Sequence, residues 1–387
     1  MIDQHDDQDA ARLTHDEQDQ VVDLCFNCKL CYVNCPYVPD QHEWAIDFPR
    51  LMLRAEQVQH RNRKKTAVKA IATEQFLGRT DLMGAAATKV AGLANKATGT
   101  PGSLTRKLME KTVGIASQRV LPPYAKQRFS TWFKNRARLR FAKKQGSVAL
   151  FTTCLVEYQD PSIGKDLVKV YEHNGIECSL PEGQVCCGAP WLHSGDVDAF
   201  TRQAKKNVKV LAAAVRDGHD IVVPQPTCSY VLKQDYKDYV GGTDADLVSA
   251  HTFDAAEYLM RVHKGDGTQL DTSFPGTVPE AVTYHAPCHL RAQNIGLKSR
   301  DLLKLTGAKV TVVSECSGID GTWGYRADNY DSARRVAKKM AAGIEKAGND
   351  TVAGDCALAN TSIVQETGKT PAHPIQLIAR AYGIPST

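Results

Sequence analysis

Four cysteines stand close together near the start of the chain, at a spacing that suits an inorganic cofactor. They are separated by two, two and three residues, and a proline closes the run: Cys25, Cys28, Cys31, Cys35 and Pro36. Bacterial ferredoxins use this spacing to hold a 4Fe–4S cluster. Structural zinc sites usually divide their ligands into two separated pairs. The run therefore predicts a 4Fe–4S cluster held by the four thiolates, with a zinc ion as the alternative.

Seven further cysteines form two sets that repeat the same order along the chain. The first set is Cys154, Cys186, Cys187 and Cys228. The second set is Cys288, Cys316 and Cys356, at offsets of 134, 130 and 128 residues, with Ser317 in place of the second member of the adjacent pair. Short β-branched runs precede these cysteines, and α/β folds bind cofactors at the carboxyl ends of such strands. We therefore predict a second cluster on the first set.

The second set leaves more than one interpretation open. Three thiolates can hold a cluster that takes a non-thiol fourth ligand, hold a three-iron cluster, or hold no cofactor. His285 and His289 flank Cys288, and histidine can ligate a cluster. The alternative for both sets is that they are buried, reduced cysteines. A third cluster on Cys288, Cys316 and Cys356 is therefore a provisional prediction.

Composition and charge restrict the class of protein. The chain has 387 residues, of which 42% are hydrophobic, and twelve are cysteines. Residues 1–49 carry a net charge of −9 and residues 50–145 a net charge of +18, which predicts a basic surface that meets an acidic partner. No secretory signal or membrane-spanning apolar run is present, so we expect a cytoplasmic protein whose thiols are ligands rather than disulfides.

These elements predict a multidomain α/β protein in four parts. Residues 1–60 form an N-terminal α-helical, ferredoxin-like 4Fe–4S module, and residues 61–145 form a basic helical segment. From residue 146 onward, short β-branched runs alternate with helical patterns, which indicates α/β organisation. Residues 146–265 and 266–387 are the two halves of a duplicated Cys-Cys-Gly domain.

Aromatic and basic residues are interleaved near the end of the basic segment. The aromatic members are Tyr124, Phe129, Trp132 and Phe133, among lysines and arginines. Such a mixture suits contact with membrane headgroups. It equally suits an aromatic stripe that faces the core beneath a solvated basic face. No recognised nucleic-acid-binding motif accompanies the charge, so we expect no nucleic-acid partner.

Motifs outside the cysteines carry a resemblance to a known family. The most informative are Cys28-Lys-Leu-Cys31, Thr80-Asp-Leu-Met-Gly84, Gly318-Ile-Asp-Gly321 and His373-Pro374. Over about residues 17–382 the chain resembles the Cys-Cys-Gly iron–sulfur oxidoreductases that are related to heterodisulfide reductase. Within that family it is most similar to the C subunits of anaerobic glycerol-3-phosphate dehydrogenase.

This resemblance implies a function in electron transfer. Such a protein relays electrons from a flavin-dependent dehydrogenase toward membrane quinone, helps to hold the dehydrogenase at the inner face of the membrane, and turns over no substrate alone. The chain carries no Gly-x-Gly-x-x-Gly or P-loop motif, so the flavin is expected on a partner. The alternatives are a free-standing iron–sulfur oxidoreductase linked to rubrerythrin-like peroxide defence and a thiol/disulfide enzyme.

Two departures from the family pattern affect the ligands. The glycerol-3-phosphate dehydrogenase members of the family carry two ferredoxin-type runs and this chain carries one, so Cys35, or a remote thiol such as Cys178, must complete the local cluster. Val231 and Ala359 stand where heterodisulfide reductase has further cysteines. This difference argues against the non-cubane cluster of that enzyme and against disulfide reduction at it.

Overall fold

The computed structural model describes residues 9–39, 41–63, 68–137, 139, 144–265, 269–319 and 321–385. The first part of the acidic leader, Asp320 of one family motif, and residues next to the predicted boundaries at 145 and 266 lie outside this description. The four-part division of the chain stays a prediction.

Helices form the part of the chain before the first strand. They are, in chain order, α1 (His15–Asp23), α2 (Leu30–Asn34), α3 (Phe48–Asn62), α4 (Val68–Gly78), α5 (Thr80–Lys89), α6 (Ala91–Thr98), α7 (Leu104–Val113) and α8 (Phe129–Asn135). Local signals set their ends: Thr14 and Glu17 form a capping box at the start of α1, and Gly114 ends α7 in the left-handed conformation.

The first cysteine set follows the strands of a parallel sheet. Its strands are β1 (Gly146–Leu150), β2 (Ile176–Ser179), β3 (Asp220–Val223) and β4 (Thr252–Asp254), in the order β2-β1-β3-β4. The helices of this half are α9 (Thr153–Tyr158), α10 (Pro161–His173), α11 (Ala189–Leu192), α12 (Val197–Arg216), α13 (Pro226–Tyr230), α14 (Tyr236–Tyr239), α15 (Gly242–Ala250) and α16 (Ala255–Lys264). A π-helical turn joins α13 to α14.

The second cysteine set follows the strands of a second parallel sheet, whose three strands repeat the order of β2-β1-β3. Its strands are β5 (Ala281–His285), β6 (Lys309–Val313) and β7 (Thr351–Gly354), arranged β6-β5-β7. The helices are α17 (Cys288–Ala292), α18 (Lys298–Leu305), α19 (Tyr330–Ala347), α20 (Ala357–Thr367) and α21 (Pro374–Ala381). β5 is central here as β1 is in the first half. The predicted duplicated α/β organisation is therefore confirmed, with cysteines after corresponding strands.

One hydrophobic cluster, the shared core, contains buried side chains of both halves. Buried side chains of the first half, including Leu150 and Tyr171, belong to the same cluster as Val282, Tyr284 and Leu302 of the second. Helix α10 packs against α21, the last helix of the second half. The two cysteine sets are therefore held in a fixed relation by apolar packing.

The aromatic stripe of α8 faces this shared core rather than a membrane. Phe129 and Phe133 expose only 1% and 8% of their surface and belong to the core cluster. The guanidinium of Arg136 lies 3.8 Å from the Phe133 ring centroid and 2.6 Å from a Glu172 carboxylate oxygen. Of the two interpretations of this stripe, the core-facing one is correct for α8, because Phe129 and Phe133 are buried and the partly buried Trp132 packs against the same cluster.

Candidate iron–sulfur sites

A tightly wound loop carries the N-terminal cysteine run. Cys25 follows α1, Cys31 lies on the short helix α2, and Cys35 ends that helix. Between them, Asn27 and Lys29 adopt the left-handed conformation, with φ of 50° and 62°. Non-glycine residues rarely adopt this conformation, so two of them within three residues bend the chain sharply. Such a bend, with four thiols on a short loop, fits the donor set of a small inorganic cluster.

Polar contacts to the body of the protein hold this loop in place. The Asn27 side chain donates a hydrogen bond to Oε1 of Glu56 on α3, at 2.9 Å. Burial raises the pKa of Glu56 to about 8. Lys29 is only 2% exposed, and its ammonium lies 5.9 Å from the Tyr230 ring centroid. These partners lie far from the loop in the chain and carry no periodic or motif signal that could have identified them.

The structure brings the first-half cysteines together as predicted. The thiol of Cys186 hydrogen-bonds with those of Cys154 and Cys187, and Cys187 in turn hydrogen-bonds with Cys228. The contacts with Cys154 and Cys187 hold the pKa of Cys186 well below its usual value. Four buried or half-buried cysteines in the segments that follow β1, β2 and β3 form a donor set that fits one 4Fe–4S cluster.

Helix α5 of the basic segment completes the surroundings of Cys186. Oδ2 of Asp81 accepts a hydrogen bond of 2.7 Å from the backbone N–H of Cys186, and the Thr80 hydroxyl lies beside the sulfur. Burial raises the pKa of Asp81 to about 6. A Cβ at Gly84 would stand 2.5 Å from the Tyr158 ring, so only glycine lets α5 approach this closely. These contacts explain Thr80, Asp81 and Gly84 of the Thr-Asp-Leu-Met-Gly motif.

The loop after Cys187 has its own glycine requirement. Gly188 has φ of +92°, and a Cβ there would stand 2.7 Å from the Phe200 ring. Asn207 bonds to this loop as well, because its amide donates to the carbonyls of Val185 and Cys186 at 3.0 and 3.2 Å. The adjacent cysteine pair therefore sits on a fixed backbone.

The second set is arranged differently from the first. The thiols of Cys288 and Cys316 hydrogen-bond with each other, and Gly318 N–H donates to the Cys316 sulfur at 3.4 Å. The sulfur of Cys356 instead accepts from the side-chain amide of Gln225 at 3.1 Å, a residue of the first half. The buried Ser317 accepts a hydrogen bond from Ser362 through its carbonyl. This donor set does not reproduce the first-half one, and a third cluster stays a prediction.

The two histidines near Cys288 have partners of their own. Nε2 of His285 lies 3.0 Å from the carbonyl of Glu315. His289 stacks on His193 with ring centroids 6.0 Å apart, and its Nδ1 is 3.4 Å from the Thr227 hydroxyl. Burial lowers the pKa of His285 to about 4 and that of His289 to about 3. Both rings are therefore neutral at physiological pH, and His193 is a neighbour that the sequence did not indicate.

Cys178 lies apart from the other thiols. It is buried on β2 within the shared core, and its thiol is 3.9 Å from the carbonyl of Ile176. This environment fits a small apolar residue and gives no support for Cys178 as a remote ligand.

Comparison with known proteins shows the family to which the chain belongs. A family model described as a cysteine-rich domain (CCG) matches twice, over residues 148–233 and 282–361. The C subunit of anaerobic glycerol-3-phosphate dehydrogenase from Escherichia coli K12 is 32% identical over 308 residues, which cover 79% of this chain and 76% of that protein. The chain belongs to this family of Cys-Cys-Gly iron–sulfur proteins.

Other members of the family match a smaller part of the chain. The B subunit of fumarate reductase (CoM/CoB) from Methanothermobacter marburgensis is 30% identical over 215 residues, which cover 54% of this chain and 40% of that protein. Lactate utilization protein A of Bacillus cereus B4264 is 31% identical over 222 residues, which cover 54% of this chain and 87% of that protein. The first matched cysteine-rich region spans β1 to β3 of the first sheet and ends before β4, and the second spans the three strands of the second sheet.

Membership of the Cys-Cys-Gly family confirms the predicted iron–sulfur cofactor and supports a general role in electron transfer with a redox partner. The sequence prediction of two Cys-Cys-Gly regions is confirmed as well. Within the part of the chain that the structure describes, no helix is both long enough and apolar enough to cross a bilayer.

Proposed function

We propose that this protein is an iron–sulfur electron-transfer subunit that carries electrons from a flavin-dependent dehydrogenase of the glycerol-3-phosphate type toward membrane quinone. One observation carries the proposal. Helix α17 packs against α2, which bears Cys31, and against α13, which bears Cys228. One cysteine of the N-terminal run and one of the first-half set therefore lie on helices that contact the same third helix, which supports a relay of single electrons between the two sites.

Two 4Fe–4S clusters are proposed. A ferredoxin-like N-terminal module holds one through Cys25, Cys28, Cys31 and Cys35, and the first half holds the other through Cys154, Cys186, Cys187 and Cys228. A bound cluster supplies a one-electron carrier whose potential depends on burial and hydrogen bonding. The residues of the chain contribute fixed sulfur positions, through Asp81 and Asn207, and exclusion of water by the buried surroundings of Cys186 and Cys187.

A surface on α6 and α7 supports peripheral attachment to a membrane. Leu93, Leu104 and Leu108 are 73%, 84% and 62% exposed. Lysines lie on the same two helices: Lys96, Lys107 and Lys111. Apolar side chains amid lysines suit insertion at the headgroup level of an anionic bilayer. We call these six residues the leucine–lysine surface and propose that it holds the protein near its quinone acceptor.

Cluster content tests the first part of the proposal. The protein is purified without oxygen, and iron, acid-labile sulfide and EPR spectra of the reduced form are measured. We expect about eight iron atoms and eight sulfides per chain. C28S should remove one EPR species and C187S the other, while C178S, the matched control, should remove neither. Zinc without labile sulfide would overturn the proposal.

Electron relay tests the second part. The loaded protein is mixed anaerobically with a purified flavin-dependent glycerol-3-phosphate dehydrogenase, its substrate, and a water-soluble quinone. We expect quinone reduction to depend on the chain and to be lost with C187S. Reduction at the same rate without the chain would contradict a relay role while leaving the cluster assignment intact.

A further inference from the structure

Two thiols of the second half are in contact without belonging to a four-thiol set. Cys288 is the first residue of α17, just after β5, and Cys316 follows β6. β5 and β6 are neighbouring parallel strands, with His285 paired to Val313 at their carboxyl ends. The two side chains therefore emerge side by side, and they hydrogen-bond with each other as thiols.

The rest of the second set is committed to other contacts. The sulfur of Cys356 accepts a hydrogen bond from the side-chain amide of Gln225. It accepts a second one, of 3.5 Å, from the backbone N–H of Ala359 in α20. Ser317 occupies the position that Cys187 holds in the first half, and a serine hydroxyl is a poorer ligand for iron–sulfur clusters than a thiolate. In the first half, by contrast, hydrogen bonds join all four thiols.

Two properties distinguish the pair from a buried structural thiol: its exposure to solvent and a hydrogen bond that fixes the two segments. Cys288 and Cys316 are each partly exposed, whereas Cys178 and Cys356 are buried. The Arg291 guanidinium, one turn after Cys288, donates to the carbonyl of Ser314 at 2.6 Å and so ties α17 to the segment that carries Cys316. The two residues thus keep their relation while both stay partly exposed to solvent.

We propose that Cys288 and Cys316 form a reversible dithiol–disulfide pair. Oxidation takes a small-molecule disulfide as co-reactant. One cysteine, as its thiolate, attacks the incoming disulfide, forms a mixed disulfide and releases one thiol; the second cysteine then attacks and releases the other. Two S–H bonds of the protein break and one S–S bond forms, while the incoming disulfide takes up the two electrons and two protons.

This site would exchange two electrons at a time, next to sites that exchange one. α17 contacts the helices that bear Cys31 and Cys228, so a change in the covalent state of Cys288 lies one helix away from both predicted cluster sites. The pair is a separate activity and does not depend on the identity of the flavoprotein or of the quinone.

Mass spectrometry of the full-length, anaerobically purified protein tests the pair. The protein is treated with glutathione disulfide, remaining thiols are blocked with iodoacetamide, and tryptic peptides are analysed. We expect a cross-linked peptide that joins Cys288 to Cys316, its loss after dithiothreitol, and unchanged iron and sulfide contents. Stable glutathionylation of either residue without the cross-link would overturn the proposal.

Variants separate a dithiol from a cluster site. C316S should abolish the cross-link and leave iron, sulfide and the EPR spectrum as in the unmodified protein. C178S is the matched control and should retain the cross-link. A loss of iron and sulfide with C316S would identify the residue as a cluster ligand and overturn the inference. Since the wild-type cross-link is measured directly, a variant that fails to fold does not remove the test.

Discussion

The structure places one buried carboxyl group beside each of two cysteine loops. Glu56 sits beneath the N-terminal loop and Asp81 beside Cys186. Both pKa values are raised because burial disfavours the charged form. The protonation of each carboxyl group therefore changes the charge beside the cysteine loop that it contacts.

Glu56 predicts a pH dependence of stability. Its pKa rises from 4.5 to about 8 on folding, so the unfolded state ionises first and stability falls as pH rises between those two values. E56Q cannot ionise and should be more stable than wild type near pH 8, by on the order of a few kcal/mol. Melting temperatures of both proteins, measured between pH 5 and pH 9 under argon, should diverge with rising pH; parallel curves would contradict the role of Glu56.

Asp81 predicts a selective effect on the first-half site. D81A removes the acceptor of the Cys186 N–H, and an unsatisfied buried donor costs about 1–3 kcal/mol. We expect the variant to lose part of the iron and the EPR species that C187S removes, and to keep the species that C28S removes. Asp81 and Glu182 both line a cavity of about 380 Å³ beside Cys154 and Cys186. E182A should change neither species.

The residues around the cysteines show most clearly how much of the site could be predicted from the sequence. Repetition of the cysteine order after short β-branched runs predicted both the first-half set and two similar sheets. Gln225, Glu56 and Asn207 carry no such signal, because polar residues that contact a loop from distant positions follow no period. Cys356 shows the same limit, since its place in the repeat suggested a partner to Cys316 and its contact with Gln225 depends on the packing of the two halves.

At the scale of elements, helix α5 and the helices after it do two different tasks. One face of α5 contacts the first-half site through Asp81, while α6 and α7 present leucines to the surroundings. Composition alone indicated one basic character for this region and suggested aromatic rings as its membrane contact. Phe129 and Phe133 of α8 are in the core, and Trp132 packs against it, because an aromatic stripe at helical spacing also suits a buried face.

The close approach of α5 predicts a contrast between two glycines. G84A places a methyl group 2.5 Å from the Tyr158 ring, and overpacking of this kind costs about 1–3 kcal/mol. G92A on α6 meets nothing within 4 Å, and alanine favours a helix by about 0.5–1 kcal/mol. Thermal melting should therefore shift down for G84A and stay level or rise for G92A; equal shifts would show that α5 does not pack as described.

The leucine–lysine surface predicts vesicle binding. Leu104 and Leu108 are exposed, and burial of a leucine is worth about 1.5–3 kcal/mol, so L104N/L108N should weaken binding to anionic vesicles at least about tenfold. Val58 on α3 is 57% exposed but lies outside this surface, and V58N serves as the control. Co-sedimentation with vesicles rich in phosphatidylglycerol measures both. Undiminished binding by the double variant would remove this surface from the proposal.

On the scale of the whole molecule, the shared core makes the two halves one cooperative unit. Leu302 of the second half is buried in the same cluster as Leu150 of the first. L302A should cost about 2–5 kcal/mol and lower the midpoint at which β1 amides lose protection from hydrogen exchange. Exchange at β1 that is unaffected by L302A would show that the first half unfolds by itself.

The cover over the N-terminal loop has a consequence for the order of biosynthesis. Lys29 is buried, and α2 packs on α17, which the ribosome makes long after the loop has emerged. During translation this loop therefore stays open to whatever cellular machinery delivers iron and sulfide. Once the second half docks, α17 covers one side of α2 while Cys31 stays exposed, so the nascent chain offers wider access for installing the cofactor proposed for this loop.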